Sequence, residues 1–167
     1  MDLRRCAIAL AMLLAAACGS DDAGDQGKDY PTQLALISQN AHIQERGLAR
    51  ELRTRLERGP IGERLDVVEV YVGQSARLYQ DVVDALDDLR PIDGVQDAHA
   101  AYVEAWTGQL ELITKVRDAG FRGSAEYLEA LENKAFDSTA DDTRASCEDL
   151  QQALASAGRQ VDLACGR

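Results

Sequence analysis

The chain has 167 residues, with 29 Asp and Glu against 18 Lys and Arg and a formal charge of −11 at pH 7. That length suits one domain with a real core, and the acidity excludes a nucleic-acid surface, because phosphates would be repelled. An apolar content of 46% excludes a wholly disordered chain.

Arg4 and Arg5 make the N-terminus basic, and an uncharged run of 12 residues follows from Cys6 to Ala17. A bilayer-spanning helix needs roughly 20 residues, so the run reads as the apolar part of an export signal. It closes on Leu14-Ala15-Ala16-Ala17-Cys18. This stretch resembles the lipobox of bacterial lipoprotein signal peptides. The resemblance implies that 1–17 is cleaved and that Cys18 is acylated on sulfur, with palmitate-type chains, and on its new amine. The position three before the cysteine, most often Leu in that family, is Ala15 here, with Leu14 one place further back. In Gram-negative members, a residue other than Asp after the cysteine implies the outer membrane, facing the periplasm, and here that residue is Gly19. Two or three acyl chains hold a protein to a bilayer stably, whereas one holds it marginally. Residues 18–30 then read as the lipidated cysteine and a small, acidic tether, and 31–167 as the folded domain.

From Pro31 the pattern is helical. A first, weaker helix carries Leu34, Ile37, Ala41, Leu48, Leu52 and Leu56, and Gly59-Pro60 ends it. The second has a seam at Ile61, Leu65, Val68, Val72, Ser75, Tyr79, Val82, Leu86 and Leu89, with alternating steps of four and three. The third follows Pro91 and Asp93, with Gln96 placed as in a capping box, and runs Val95, His99, Tyr102, Trp106, Gln109, Ile113 and Val116. Gly120 and Gly123 end it. A short helix through Leu128 and Leu131 reaches about Phe136. A last one starts near Ser138 or Thr139, with Asp141 and Asp142 near its positive end, and carries Thr143, Cys147, Leu150, Leu154 and Ala157 until Gly158. The fold class is therefore all-α: an antiparallel bundle of four main helices plus one short one.

With Cys6 discarded and Cys18 lipidated, export leaves Cys147 and Cys165 as one pair in an oxidising compartment. A disulfide between them folds the tail back along the last helix and closes a loop worth roughly 3 kcal/mol on the entropy model. Two free buried thiols are the alternative.

Candidate chemistry is sparse. Both methionines, Met1 and Met12, lie in the signal, which removes Met-ligated haem or copper from the mature chain. The di-iron pattern needs Glu three residues before His, and Gln96 stands there before His99. Neither a metal nor a cofactor is expected. His99 reads as a packed imidazole bonded to the turn at Pro91–Asp93. Ser75 has no second glycine of a nucleophile elbow and reads as a small residue easing helix approach. Two readings survive. One is a non-catalytic, lipid-anchored bundle that works through contacts with an envelope protein. The other is a small-molecule or ion-binding bundle with a pocket at Tyr79, His99, Tyr102 and Trp106. An enzyme finds no motif. The mature part also loosely resembles uncharacterised helical lipoproteins of GC-rich bacteria, through its seams and its closing cysteine pair, and that likeness implies no activity.

Overall fold

The computed structural model describes residues 26–60, 63–119 and 135–166. They form four helices: α1 (Gln26–Arg58), α2 (Arg64–Asp87), α3 (Gln96–Ala119) and α4 (Ala135–Ser156). No strand occurs among the described residues. The short helix expected over 124–134 lies outside them, and Phe136, expected to close it, falls in the first turn of α4.

The α3 seam is buried at every position from Val95 to Val116, because its three-and-four spacing keeps those side chains on one face for the helix's whole length. On α2, Val72, Ser75, Tyr79, Val82 and Leu86 are buried as spaced, while Leu65, near the helix start, stays 45% exposed. α4 buries Thr143, Cys147, Leu150 and Leu154. It begins at Ala135 rather than near Ser138, so Asp141 and Asp142 lie in its second turn instead of capping it.

Two boundaries move. α1 begins at Gln26, ahead of Pro31, and takes residues 26–30 from the expected tether. Tyr30 is consequently core, at 2% exposure. At the start of α3 the first helical bond runs from the His99 N–H to the Val95 carbonyl. Asp93 and Gln96 do interact, but side chain to side chain at 3.2 Å, while Gln96 Oε1 accepts from the Gly94 N–H at 2.8 Å. The expected capping box does not form, because the helix starts at Gln96 itself and Val95, not Asp93, precedes it.

Helices pack in chain order, α1 on α2, α2 on α3 and α3 on α4. Side-chain pairs Tyr30–His99, Ser38–Tyr102 and His42–Trp106 rise together along α1 and α3, so those two run parallel across the bundle. On the fourth side, between α1 and α4, non-helical chain intervenes. Gly158, at φ +75°, ends α4 with its own N–H on the Ala155 carbonyl and the Arg159 N–H on the Leu154 carbonyl. This 6→1 and 5→2 pair defines a Schellman motif, in which glycine adopts the left-handed turn without Cβ strain.

The following strap, 159–166, runs back and is held at three points. Gln39 Nε2 donates to the Asp162 carbonyl at 2.7 Å, Ser38 Oγ donates to the Leu163 carbonyl at 2.6 Å, and the Leu163 N–H donates to Gln151 Oε1 at 2.9 Å. Leu163 itself is fully buried in the common core. The Cys147–Cys165 disulfide, with Cα atoms 5.6 Å apart, pins the strap to α4.

Ala164 adopts φ +57° so that Cys165 can turn towards Cys147. For a residue bearing a Cβ this backbone costs roughly 1–2 kcal/mol. Ala164→Gly is therefore expected to stabilise the fold by about 0.5–1 kcal/mol after glycine's greater unfolded-state freedom is counted. Denaturant unfolding checks it: the midpoint should rise at unchanged m-value, and a lower midpoint would contradict the strain argument.

Candidate functional site

α1 places a run of polar side chains on its inward face. Tyr30, Ser38, His42 and Glu45 follow steps of eight, four and three, which keep them on one side of a helix. Opposite them, α3 offers His99, Tyr102 and Trp106. The result is a polar seam through the bundle centre, arranged in three levels.

At the first level, the Tyr30 hydroxyl lies 2.9 Å from His99 Nδ1, and the Leu86 carbonyl at the end of α2 faces the same ring. With the ring proton on Nε2, Nδ1 accepts from the Tyr30 hydroxyl; with the proton on Nδ1, the phenol oxygen accepts instead. The turn at Pro91–Asp93 is not the partner of His99. Burial pushes the imidazole's pKa down, partly opposed by the nearby Leu86 carbonyl and by the charge of Asp87. The Tyr30 phenol is pushed up by burial.

At the second level, Ser38 gives its proton to the Leu163 carbonyl and accepts from the Tyr102 hydroxyl at 3.0 Å. Tyr102 is fully buried, and that burial raises its pKa.

At the third level, Tyr79 donates to Glu45 Oε1 at 2.9 Å, and His42 Nδ1 lies 3.7 Å from Glu45 Oε2. Burial and then the Glu45 charge push the Tyr79 phenol well above its ordinary range. Burial likewise pushes the Tyr71 phenol up, partly opposed by the nearby Ser75 hydroxyl. Trp106 sits at the centre, fully buried, with Tyr79 at 5.5 Å and Tyr102 at 6.3 Å, both edge-on, and His42 at 6.2 Å. Two buried nitrogens here, His42 Nε2 and Trp106 Nε1, have no hydrogen-bond partner; Trp106 Nε1 faces the Tyr102 hydroxyl without reaching bonding geometry.

Of the four residues expected around a pocket, Tyr79 and Tyr102 each pack a ring against Trp106, while His99 stands apart with Tyr30. The roomy clefts lie elsewhere. One of about 400 Å³ opens between α1 and α2 near Gly47 and Leu78, and one of about 410 Å³ between α3 and α4 near Gly108 and Ala145. A third, of about 570 Å³, runs between α4 and the strap, lined by Glu148, Gln151 and Asp162 among others. Among the described residues, no three His, Cys, Asp or Glu side chains are grouped to hold a metal ion, and no helix is long and apolar enough to cross a membrane. No protein-family model, curated protein or solved structure matches the chain significantly.

The α1 residues of this seam escaped the sequence reading. Tyr30 fell in the expected tether, and Ser38 and Glu45 broke the apolar stripe that was followed through Ile37. The spacing Tyr30, Leu34, Ser38, Ala41, Glu45 carries the signal once polar residues are admitted as core positions. His42 pairs with Glu45 in an order resembling a base and its orienting carboxylate. Its free Nε2, however, is turned into the protein and is closed to solvent.

Because His99 is neutral in the fold, its folded pKa lies below the unfolded value of 6.5. Its contribution to stability is complete above pH 6.5 and is lost as pH falls from there through the folded pKa. Unfolding free energies of the wild type should decline across that interval, with a shallower decline in His99→Gln. Parallel pH profiles for the two proteins would refute the assignment.

Proposed function

We propose that the protein is a lipid-anchored component of the bacterial cell envelope whose helical bundle works through protein contacts rather than catalysis. One observation carries the second half of this reading. The side chains able to do chemistry, Tyr79, His99, Tyr102 and Trp106, are engaged with one another or with neighbours inside a packed core, whereas Leu36, Ile43, Leu65 and Val70 stand 45–59% exposed. Leu36 and Ile43 lie seven residues apart, on one face of α1, where apolar side chains cost solvation until something covers them. The first half rests on the ordered series of Arg4 and Arg5, the apolar run, and Leu14 to Cys18. On the lipobox resemblance the anchor is lipid on Cys18, and Gly19 directs the protein to the outer membrane, facing the periplasm in a Gram-negative cell.

The ligand-binding reading has the unpartnered His42 Nε2 and Trp106 Nε1 in its favour. Against it stand rings already packed edge to face, which leave a small molecule no place without repacking.

Intact mass of the full chain expressed in a bacterium tests the anchor. The membrane fraction should hold a species beginning at Cys18 and heavier by two or three acyl chains, and Cys18→Ala should remove it. A soluble, unacylated wild type would sink the proposal. For the contact reading, a photo-cross-linking residue at position 36 or 43 should give discrete protein adducts that are absent from an exposed polar position such as 84. Equal labelling at both positions would count against it.

A further inference from the structure

The strap fills the fourth side of the bundle in a manner unlike helix packing. Its backbone is read by side chains: Ser38 and Gln39 from α1 take the carbonyls of Leu163 and Asp162, and Gln151 from α4 takes the Leu163 N–H. One side chain, Leu163, is swallowed completely, while Asp162 faces solvent and folds its own carboxylate onto the Ala164 N–H at 2.9 Å. Main-chain bonds on two consecutive residues plus one buried leucine constitute a mode of recognising an extended peptide. Nothing in those contacts requires the peptide to belong to the same chain. Only the disulfide does, and its two sulfurs differ in access: Cys147 is 1% exposed, whereas Cys165 is only half-buried.

We propose that the groove between α1 and α4 is a binding surface for an extended peptide segment of the Asp-Leu-Ala type, occupied in cis by the strap and opened by reduction of the Cys147–Cys165 bond. A dithiol reductant supplies the two electrons and two protons. Its first thiolate attacks the more accessible Cys165 sulfur and expels the Cys147 thiolate, which takes up a proton. Its second thiol closes the reductant to a disulfide and releases Cys165 as a thiol. The strap then holds by its three hydrogen bonds and Leu163 alone, at the effective concentration of a short tether, and a partner segment with the same chemistry competes for the groove. Once it leaves, the Leu163 site, the Ser38 hydroxyl and the Gln39 and Gln151 amides are free to receive that segment. This surface deepens the protein-contact reading and is tested apart from it, because contacts through Leu36 and Ile43 do not depend on the groove.

The probe is a fluorescent synthetic peptide with the sequence of residues 160–166, carrying Ser in place of Cys165. The receptor is the full chain with Cys165→Ser and Leu163→Asp, in which the strap has lost both its bond and its buried side chain. Fluorescence anisotropy is expected to show saturable binding to this variant, at least roughly tenfold weaker binding to oxidised wild type, and a similar loss when the peptide's own leucine is replaced by Asp. Three results each overturn the proposal: no binding by a variant that still unfolds cooperatively, equal binding to oxidised wild type, or indifference to the leucine. Should the variant fail to fold, hydrogen exchange of the wild type decides. Reduction is expected to speed exchange of the Leu163 and Ala164 amides at least roughly tenfold while α3 keeps its protection. Strap amides that stay protected after reduction would overturn it.

Discussion

Every hydroxyl that α1 turns into the bundle must find a partner there, since an unanswered buried donor or acceptor costs about 1–3 kcal/mol. The bond from Ser38 to the Leu163 carbonyl is where that requirement joins three parts of the chain. It frees Ser38 to accept from Tyr102, which fixes α1 against α3, and it ties both helices to the strap. Tyr30 with His99, one level away, adds a second bond between the same two helices. The bundle therefore keeps its register through matched polar pairs as well as apolar volume. A slide of α1 by one turn would leave Tyr30, Ser38 and Glu45 unpartnered at once, whereas apolar side chains could repack with smaller loss. The two nitrogens left without partners, on His42 and Trp106, mark the level where this matching is incomplete.

The strap explains how a bundle whose helices pack chiefly in chain order closes on its fourth side. An eight-residue segment can enter between α1 and α4 because side chains supply the hydrogen bonds that a lone extended backbone lacks. Leu163 provides apolar burial of roughly 1.5–3 kcal/mol, and the disulfide reduces the freedom the segment would regain on release. Against these stands the left-handed Ala164, needed to aim Cys165 at Cys147. The geometry of that corner is set by the covalent bond and tolerated because the rest of the strap is over-determined.

What the sequence made legible follows from this division. The α3 seam was readable throughout because its apolar and aromatic residues keep one spacing for six turns, and the core there is continuous. The disulfide was readable by elimination among four cysteines. α1 was hard to read because Ser38, His42 and Glu45 interrupt its inward face and because Pro31, which looks like a first-turn residue, sits inside the helix. His99 was correctly placed in the interior but given a neighbouring turn as partner. Its partner is Tyr30, 69 residues away, and no local pattern announces a bond of that range. Leu163 lies in the tail beyond the last apolar seam and carries no signal of its own; its depth depends on a groove made by two other helices.

The longer α1 also alters what the proposed anchor implies. Seven residues separate Cys18 from Gln26, the first helical residue, and they span at most about 28 Å even fully extended. Such an anchor would hold the body near the headgroups, although removal of Asp2, Arg4 and Arg5 would leave it 28 acidic and 16 basic residues, a charge of −12. The charge is unevenly spread along α1. Between Gln26 and Gln44 the helix carries only Lys28 and Asp29, whereas Glu45 to Arg58 holds five arginines and three glutamates. A 33-residue helix is about 50 Å long, so with lipid on Cys18 the neutral half would lie towards the anchor and the basic half away from it. Screening over about 8 Å in physiological salt confines repulsion from anionic lipid to the parts of the body in near contact. Leu36 and Ile43 fall within the neutral half. A partner covering them would therefore meet the bundle close to the membrane surface, where two-dimensional confinement raises its local concentration and a small apolar contact suffices to hold it.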